Sequence, residues 1–191
     1  MSRYEIEDIT IAEYFMLEDT SEYDVFFDVL KGRNEFAGRK WDTSKMTFNE
    51  FKTIQIIFNE PTYADIKDLF VHLYRIKGSM KISEAQIFNN VSIFDFIRAK
   101  RFIQDFINQK LQRESELLAT KPNKILVEIN AYNRLQPVST LLTKIDLAER
   151  FNTTIEEVGN WKYSKVINIL VALKIKGDIN NEYNERLSRG T

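Results

Sequence analysis

The sequence predicts an all-α protein built as a multi-helix bundle, and three observations carry this prediction. The chain has only 6 Gly and 3 Pro among 191 residues, which is few for a β-sandwich or a loop-rich scaffold. Apolar residues recur at spacings of three and four, as they do along one face of a helix. Hydroxyl residues also precede acidic residues by three positions at several points, and this spacing is typical of helix starts.

Five such pairs mark helix starts along the chain. They are Thr10 with Glu13, Thr47 with Glu50, Thr62 with Asp65, Ser92 with Asp95, and Thr154 with Glu157. In each pair the hydroxyl accepts a hydrogen bond from an amide in the first turn, and the carboxylate favours the positive end of the helix dipole.

The starts and the apolar spacing together define the expected helices. They cover 10–17, 21–31, 47–59, 62–77, 92–118, 124–134, 139–151, 154–160, 163–174 and 180–187. A short strand pair within 25–36 and 125–129 is the alternative for those two segments. No clear internal repeat is visible in the sequence.

Pro122 follows the longest expected helix and indicates a boundary between two lobes. Proline has no amide hydrogen and therefore cannot continue a helix interior. We predict an amino-terminal helical lobe at 1–120, which contains the long central helix, and a carboxy-terminal helical lobe at 123–191. The two lobes either stay separate or pack as one unit.

The composition removes several classes of chemistry. The chain has no cysteine, which excludes disulfides, thiolate zinc sites and iron–sulfur clusters. Its single histidine, His72, lies four residues after Asp68, and we interpret it as a boundary residue beside that carboxylate. No glycine-rich phosphate loop, GxSxG or HExxH motif is present. We therefore expect a non-enzymatic protein with no catalytic residue, cofactor or metal; a small enzyme using His72 is an alternative without a proposed substrate.

The charge is balanced overall but unevenly distributed. Lys and Arg number 27 and Asp and Glu number 28, yet residues 1–30 contain nine acids and one base. This region is either a solvated face or the part of one subunit that meets the basic surface of the next. No stretch reaches the roughly 18–20 apolar residues that cross a bilayer, so we expect no membrane partner.

The segment 145–161 has the spacing of a helix-turn-helix. A small residue, Ala148, is followed by the turn residue Asn152 and then by the apolar Val158. The small residue lets two helices approach closely, and the turn residue tolerates a left-handed backbone. The sequence therefore predicts a degenerate helix-turn-helix near the carboxy terminus.

Two interpretations of this helix-turn-helix stay open. It is either a structural helical hairpin that packs against the carboxy-terminal helix, or the DNA-binding part of a regulator that uses Lys162 and Lys165. Glu156 and Glu157 lie near the start of its second helix. Carboxylates repel phosphates, so we favour the hairpin and do not expect nucleic acid as a partner.

Both ends of the chain resemble proteins of tailed bacteriophages. The segments ITIAEYFMLED, FFDVLKG and MTFNEFKTIQIIFNEP, with Trp41 in the linker, resemble the amino-terminal part of small phage morphogenesis proteins. The segment IDLAERFNTTIEEVGNWKYSKVINILVALK resembles the end of tail-assembly chaperones and related minor tail proteins. In those proteins a degenerate helix-turn-helix is followed by an aromatic–Tyr–Ser/Thr segment and an amphipathic helix.

The resemblance implies a phage virion or assembly protein without enzymatic activity. Such a protein acts through protein–protein contacts in the tail, the head–tail connector or the particle interior. Its partners are other phage structural proteins or further copies of itself, and it is found in the virion or in the host cytoplasm during assembly. The resemblance transfers no functional residue, because this family works through surfaces.

The aromatic content gives the candidate contact residues. Aromatic residues make up 13% of the chain, with 14 Phe and 8 Tyr, which exceeds what so small a core needs. Surplus aromatic side chains commonly anchor interfaces. We predict contacts by Tyr14, Phe15, Phe26, Phe27 and Trp41 in the amino-terminal lobe and by Trp161 and Tyr163 in the carboxy-terminal lobe.

Overall fold

The computed structural model describes residues 8–79, 81–120 and 123–189. Over these residues the protein is all-α, as predicted. Its β-type pairing there is confined to isolated single-residue bridges, and no strand forms. The helices are α1 (Ile11–Tyr14), α2 (Ser21–Phe27), α3 (Phe48–Asn59), α4 (Tyr63–Leu73), α5 (Glu84–Asn89), α6 (Ile93–Leu118), α7 (Lys124–Glu128), α8 (Ala131–Leu135), α9 (Ser139–Phe151), α10 (Ile155–Asn160) and α11 (Tyr163–Arg189). The alternative strand pair does not form in this part of the chain, and 125–128 lies in α7.

The chain divides into two compact units. The first contains the described residues of 1–43 and 54–109, and the second those of 44–53 and 110–191. Pro122, where the sequence predicts the boundary, lies outside the described residues, and the described residues on both sides of it belong to the second unit. Residues 44–53 join that unit because their backbone pairs with the start of α11: the Phe48 amide donates to the Trp161 carbonyl and the Tyr163 amide donates to the Met46 carbonyl, each at 2.9 Å.

The five predicted helix starts are confirmed. In each pair the amide of the acidic residue donates to the hydroxyl oxygen at 3.1–3.4 Å. A sixth pair, Ser83 with Gln86, begins α5, a helix that the sequence analysis missed.

Five expectations about helix bounds were wrong. The helices expected over 10–17 and 21–31 end earlier, at Tyr14 and Phe27. The helix expected over 124–134 is divided into α7 and α8 by Asn130, whose φ of 53° is left-handed. The helix expected to reach residue 77 ends at Leu73, shortly before Arg75 takes a φ of 50°. The two helices expected over 163–174 and 180–187 are one continuous helix, α11, because nothing crowds Gly177 and no proline interrupts it.

Aromatic packing forms the core of the first unit. The ring of Phe36 lies 4.9 Å from that of Phe70 and 5.5 Å from that of Phe88, and Phe70 lies 5.0 Å from Phe96. A two-residue turn, in which Ala37 and Gly38 have φ of 49° and 68°, holds Phe36 in place. These positive φ values match the twist of a tight hairpin.

The core of the second unit gathers around the start of α11. Tyr163 stacks on Phe51 with ring centroids 4.0 Å apart. Leu147, Val158 and Val166 are fully buried beside them. The hairpin of α9 and α10 is therefore tied to α11 by apolar burial.

The two units contain the same local arrangement. In the first, Thr10 forms an antiparallel bridge with Ser92, which directly precedes the long helix α6; in the second, Thr47 forms the same bridge with Lys162, which directly precedes α11. A short helix with a capping box, α5 or α10, comes before each long helix. The shared sequence is only Thr–apolar–x–Glu–aromatic (TIAEY and TFNEF), and for this reason the repeat escaped the sequence analysis.

Candidate interaction surface

The segment 124–142 of the second unit exposes a continuous series of apolar side chains. No residue of 123–146 is buried. Nine large apolar side chains in it are between 39% and 67% exposed: Ile125, Leu126, Val127, Ile129, Tyr132, Leu135, Val138, Leu141 and Leu142. We call these nine residues the 124–142 surface.

Local polar bonds, rather than burial, order this segment. The Asn123 side chain accepts a hydrogen bond of 2.9 Å from the Ile125 amide and so caps α7. The Asn123 amide in turn donates to the Tyr132 hydroxyl at 3.1 Å. The segment can therefore hold its helical turns while its apolar side chains stay in contact with water.

A second apolar surface runs along the carboxy-terminal half of α11. Ile175, Ile179, Tyr183 and Leu187 are 52–63% exposed. Residues four apart lie on one side of a helix, so these four form a line about 18 Å long, which we call the α11 stripe. The last buried residue of this helix is Ile167, well before the stripe begins.

Neither apolar surface lies in strongly charged surroundings. Beside the α11 stripe, Asp178 pairs with Lys174 at 3.0 Å and Glu185 pairs with Arg189 at 3.6 Å. The segment 124–142 contains two bases and one acid.

The predicted helix-turn-helix geometry is present in α9 and α10. Asn152 ends α9 with a left-handed φ of 47°. The second helix, α10, begins with two exposed carboxylates, those of Glu156 and Glu157. The Thr153 hydroxyl and the Thr154 amide donate hydrogen bonds to Glu157 and lower the pKa of its carboxyl, so this group is ionised at neutral pH.

The two candidate DNA-binding lysines lie at the start of α11. Both are exposed, and the Lys165 ammonium lies 3.8 Å from the centroid of the Trp161 ring. The Phe151 ring meets the Trp161 ring edge-on, with the two ring centroids 5.6 Å apart. The two carboxylates of α10 are as numerous as these two lysines, so this end of the hairpin has no net positive charge.

A small polar cluster joins α3, α6 and α11. The Tyr163 hydroxyl donates to Glu114 at 2.9 Å, and the Lys52 ammonium lies 3.9 Å from the same carboxylate. Burial, reinforced by the Glu114 charge, raises the pKa of Tyr163 far above its ordinary value. Burial lowers the pKa of Lys52, and the Glu114 charge opposes this change. Each of the three groups therefore has a partner within the cluster.

The predicted amino-terminal contact residues divide between an exposed cluster and the core. Tyr14 is half-buried, with its ring 5.4 Å from that of Phe27, and its hydroxyl donates to Asp24 at 3.0 Å. Phe26 and Phe27 are also half-buried, whereas Phe15 is 57% exposed.

Two of the predicted contact residues lie in the cores of their units. Trp41 is 6% exposed and packs on Phe106 at 5.2 Å, and Tyr163 is 4% exposed. This burial argues against direct contact of either side chain with a partner. Trp161 is half-buried. The aliphatic surfaces at 124–142 and on α11 were not predicted, because the candidate contact residues were chosen by aromatic content.

His72, the residue of the enzyme alternative, is exposed on α4. Across 8–79, 81–120 and 123–189, no three His, Cys, Asp or Glu side chains are grouped so that they could hold a metal ion.

No family model matches the chain, and the comparisons with curated proteins and with solved structures also found no match. Among the described helices, none is long and apolar enough to cross a membrane.

Proposed function

We propose that the protein is a non-enzymatic bacteriophage structural or assembly protein that acts through protein–protein contacts in the tail, the head–tail connector or the particle interior. The observation that carries the proposal is the 124–142 surface, with nine exposed apolar side chains. The largest apolar patch of a typical monomer covers about 300–600 Å², and larger ones mark interaction sites.

The resemblance of both chain ends to phage morphogenesis and tail-assembly proteins supports a role in the bacteriophage particle or its assembly. The resembling carboxy-terminal segment, 145–174, flanks the 124–142 surface and leads into the α11 stripe. Exposed apolar side chains of this kind are suited to docking against another protein.

A genetic experiment tests this function. In a phage that encodes the protein, a stop codon at Trp41 removes everything from the middle of the first unit onward. We expect lysates with tailless or otherwise incomplete particles by electron microscopy, and rescue by the wild-type chain supplied from a plasmid. Complete, infectious particles without rescue would contradict the proposal.

The contact surface is tested in the same experiment. Replacement of two exposed residues by Ile125→Asp and Leu135→Asp places charges on the 124–142 surface and should prevent rescue. The matched control is Glu128→Gln, a change at an exposed polar residue of the same segment, which should rescue normally. Rescue by the double variant would remove this surface from the proposal.

The helix-turn-helix geometry of α9 and α10 favours a second candidate, a DNA-binding regulator. This function predicts binding to duplex DNA that weakens steeply with salt and is lost in a Lys162→Ala, Lys165→Ala double variant. Titration of mixed-sequence duplexes at about 50 mM salt tests it, because phosphate contacts are strongest there. No binding under these conditions would end this candidate.

A further inference from the structure

We propose that a cavity between the end of α6 and the start of α11 binds the phosphate group of a small molecule. The cavity lies within the second unit, because all the residues that line it belong to that unit. This inference goes beyond the proposed function, since it concerns a small ligand and not a protein contact.

The cavity has a volume of about 240 Å³. Most of its lining consists of polar donors and apolar side chains: Lys110, Arg113 and Leu117 on α6, and Ser164, Ile167 and Asn168 on α11. Residues three and four apart lie on one side of a helix, so the lining residues of each helix face the same space. Drug-sized ligands occupy pockets of about 300–1,000 Å³, so this cavity suits a smaller molecule.

The charge around the cavity is positive. Glu114 also lines it, but this carboxylate accepts a hydrogen bond from the Tyr163 hydroxyl at 2.9 Å and lies 3.9 Å from the Lys52 ammonium. Together with Lys52, the two cations of the lining outnumber this acid by three to one. The neighbouring turns add no acid, because 106–113 of α6 and 163–177 of α11 contain none. The cavity therefore attracts an anion.

The set of donors matches a phosphate group. The Arg113 guanidinium presents N–H groups in a planar fork that fits phosphate oxygens, and the Lys110 ammonium adds a second positive charge. The Ser164 hydroxyl and the Asn168 amide can each donate a further hydrogen bond. A phosphate monoester offers three acceptor oxygens to these donors, whereas a carboxylate offers two. Because the Glu114 charge opposes a second anionic group, we expect one phosphate group per ligand.

Calorimetric titration of the full chain tests the proposal. The probes are inorganic phosphate and phenyl phosphate, at an ionic strength held constant with sodium chloride. We expect one saturable site for both probes, because both carry the phosphate group, and tighter binding of phenyl phosphate would identify an organic phosphate as the ligand. No saturable binding of either probe up to about 10 mM, above the millimolar range of weak ligands, would overturn the proposal.

Two variants and a matched control locate the site. Arg113→Gln removes the fork and Asn168→Asp places a negative charge in the cavity, so each should weaken binding at least about tenfold. The control Arg134→Gln removes the same charge from an exposed arginine of the same unit that does not line the cavity, and it should bind normally. Circular dichroism checks that these exposed substitutions leave the helices intact. Equal weakening by Arg113→Gln and Arg134→Gln would show attraction by overall charge alone and would overturn the site.

Competition with duplex DNA separates a small ligand from a nucleic acid. We expect no displacement of phenyl phosphate by a mixed-sequence duplex, because the cavity lies between two helices and admits a single small group. Displacement by the duplex would assign the site to a nucleic-acid backbone and would overturn the small molecule as its ligand. The rescue experiment decides the proposed function independently of these titrations.

Discussion

The hydroxyl of Tyr163 donates a 2.9 Å hydrogen bond to the carboxylate of Glu114, a residue of α6 that is 23% exposed. The ring of the same tyrosine stacks on Phe51 at 4.0 Å. One side chain therefore contributes both apolar packing and the hydrogen bond that satisfies a largely buried charge.

Variants of Tyr163 should separate these two contributions. Tyr163→Phe keeps the stacked ring but leaves the Glu114 carboxylate without this donor, so we expect a loss of about 1–2 kcal/mol in the free energy of unfolding. Tyr163→Ala also removes the ring, and the expected loss is about 3–5 kcal/mol. Urea denaturation measures both values. An unchanged stability of Tyr163→Phe would show that the hydrogen bond contributes nothing, and equal losses in the two variants would show that the stacked ring contributes nothing.

Gly32 and Gly177 should respond in opposite ways to substitution by alanine. A Cβ on Gly32 would lie 2.8 Å from the backbone nitrogen of Phe102, which cannot move without shifting α6. We expect Gly32→Ala to destabilise the protein by about 1–3 kcal/mol. Nothing lies within 4 Å of the same position on Gly177, inside α11, so Gly177→Ala should stabilise it by about 0.5–1 kcal/mol. A destabilised Gly177→Ala variant would contradict the continuous helix.

The capping box of α10 should make stability depend on acid pH. Hydrogen bonds from Thr153 and Thr154 lower the pKa of Glu157 below its ordinary value of 4.5. A lowered carboxyl pKa contributes stability above the ordinary value, and this contribution is lost as the pH falls through the folded-state pKa. Glu157→Gln should therefore be less stable than the wild type at pH about 7, with a difference that shrinks below pH about 4.

Glu156→Gln is the control for this pH dependence. It removes a charge from the same turn without affecting the bonds from Thr153 and Thr154. Chemical denaturation at several pH values compares the two variants. A pH profile of Glu157→Gln identical to that of Glu156→Gln would show that the capping box does not set this dependence.

Truncation of two predicted contact residues should separate core from surface. Trp41 is 6% exposed, and Trp41→Ala should cost about 3–5 kcal/mol of stability. Phe15 is 57% exposed and meets Tyr63 edge-on at 5.1 Å, so Phe15→Ala should cost about 1 kcal/mol or less. Thermal unfolding of the two variants measures the contrast, and the reverse order would show that Trp41 lies on the surface.

Local chemistry made most of the fold predictable from the sequence. Five helix starts depend on a side chain bonding to an amide three residues away, and such bonds can be read from spacing alone. The left-handed Asn152 belongs to the same class of signal. The start of α5 could have been found in the same way, since Ser83 and Gln86 have the spacing of a capping box.

The division into units and the candidate surfaces depend on distant contacts, which spacing does not reveal. The pairing of Thr47 with Lys162 moves residues 44–53 into the second unit, although more than a hundred residues separate the two. An apolar stripe has the same spacing whether it is covered or exposed. The sequence therefore could not distinguish Ile107, which is buried, from Ile179, which is 60% exposed.

The native mass of the full chain at about 0.1 M and about 1 M salt tests the central claim most directly, because the higher salt screens charge contacts within a few ångströms. Association of copies through the apolar 124–142 surface should give a multimer at both salt concentrations. A multimer that dissociates in high salt would assign association to the acidic residues of 1–30. A monomer under both conditions would contradict self-association through the 124–142 surface.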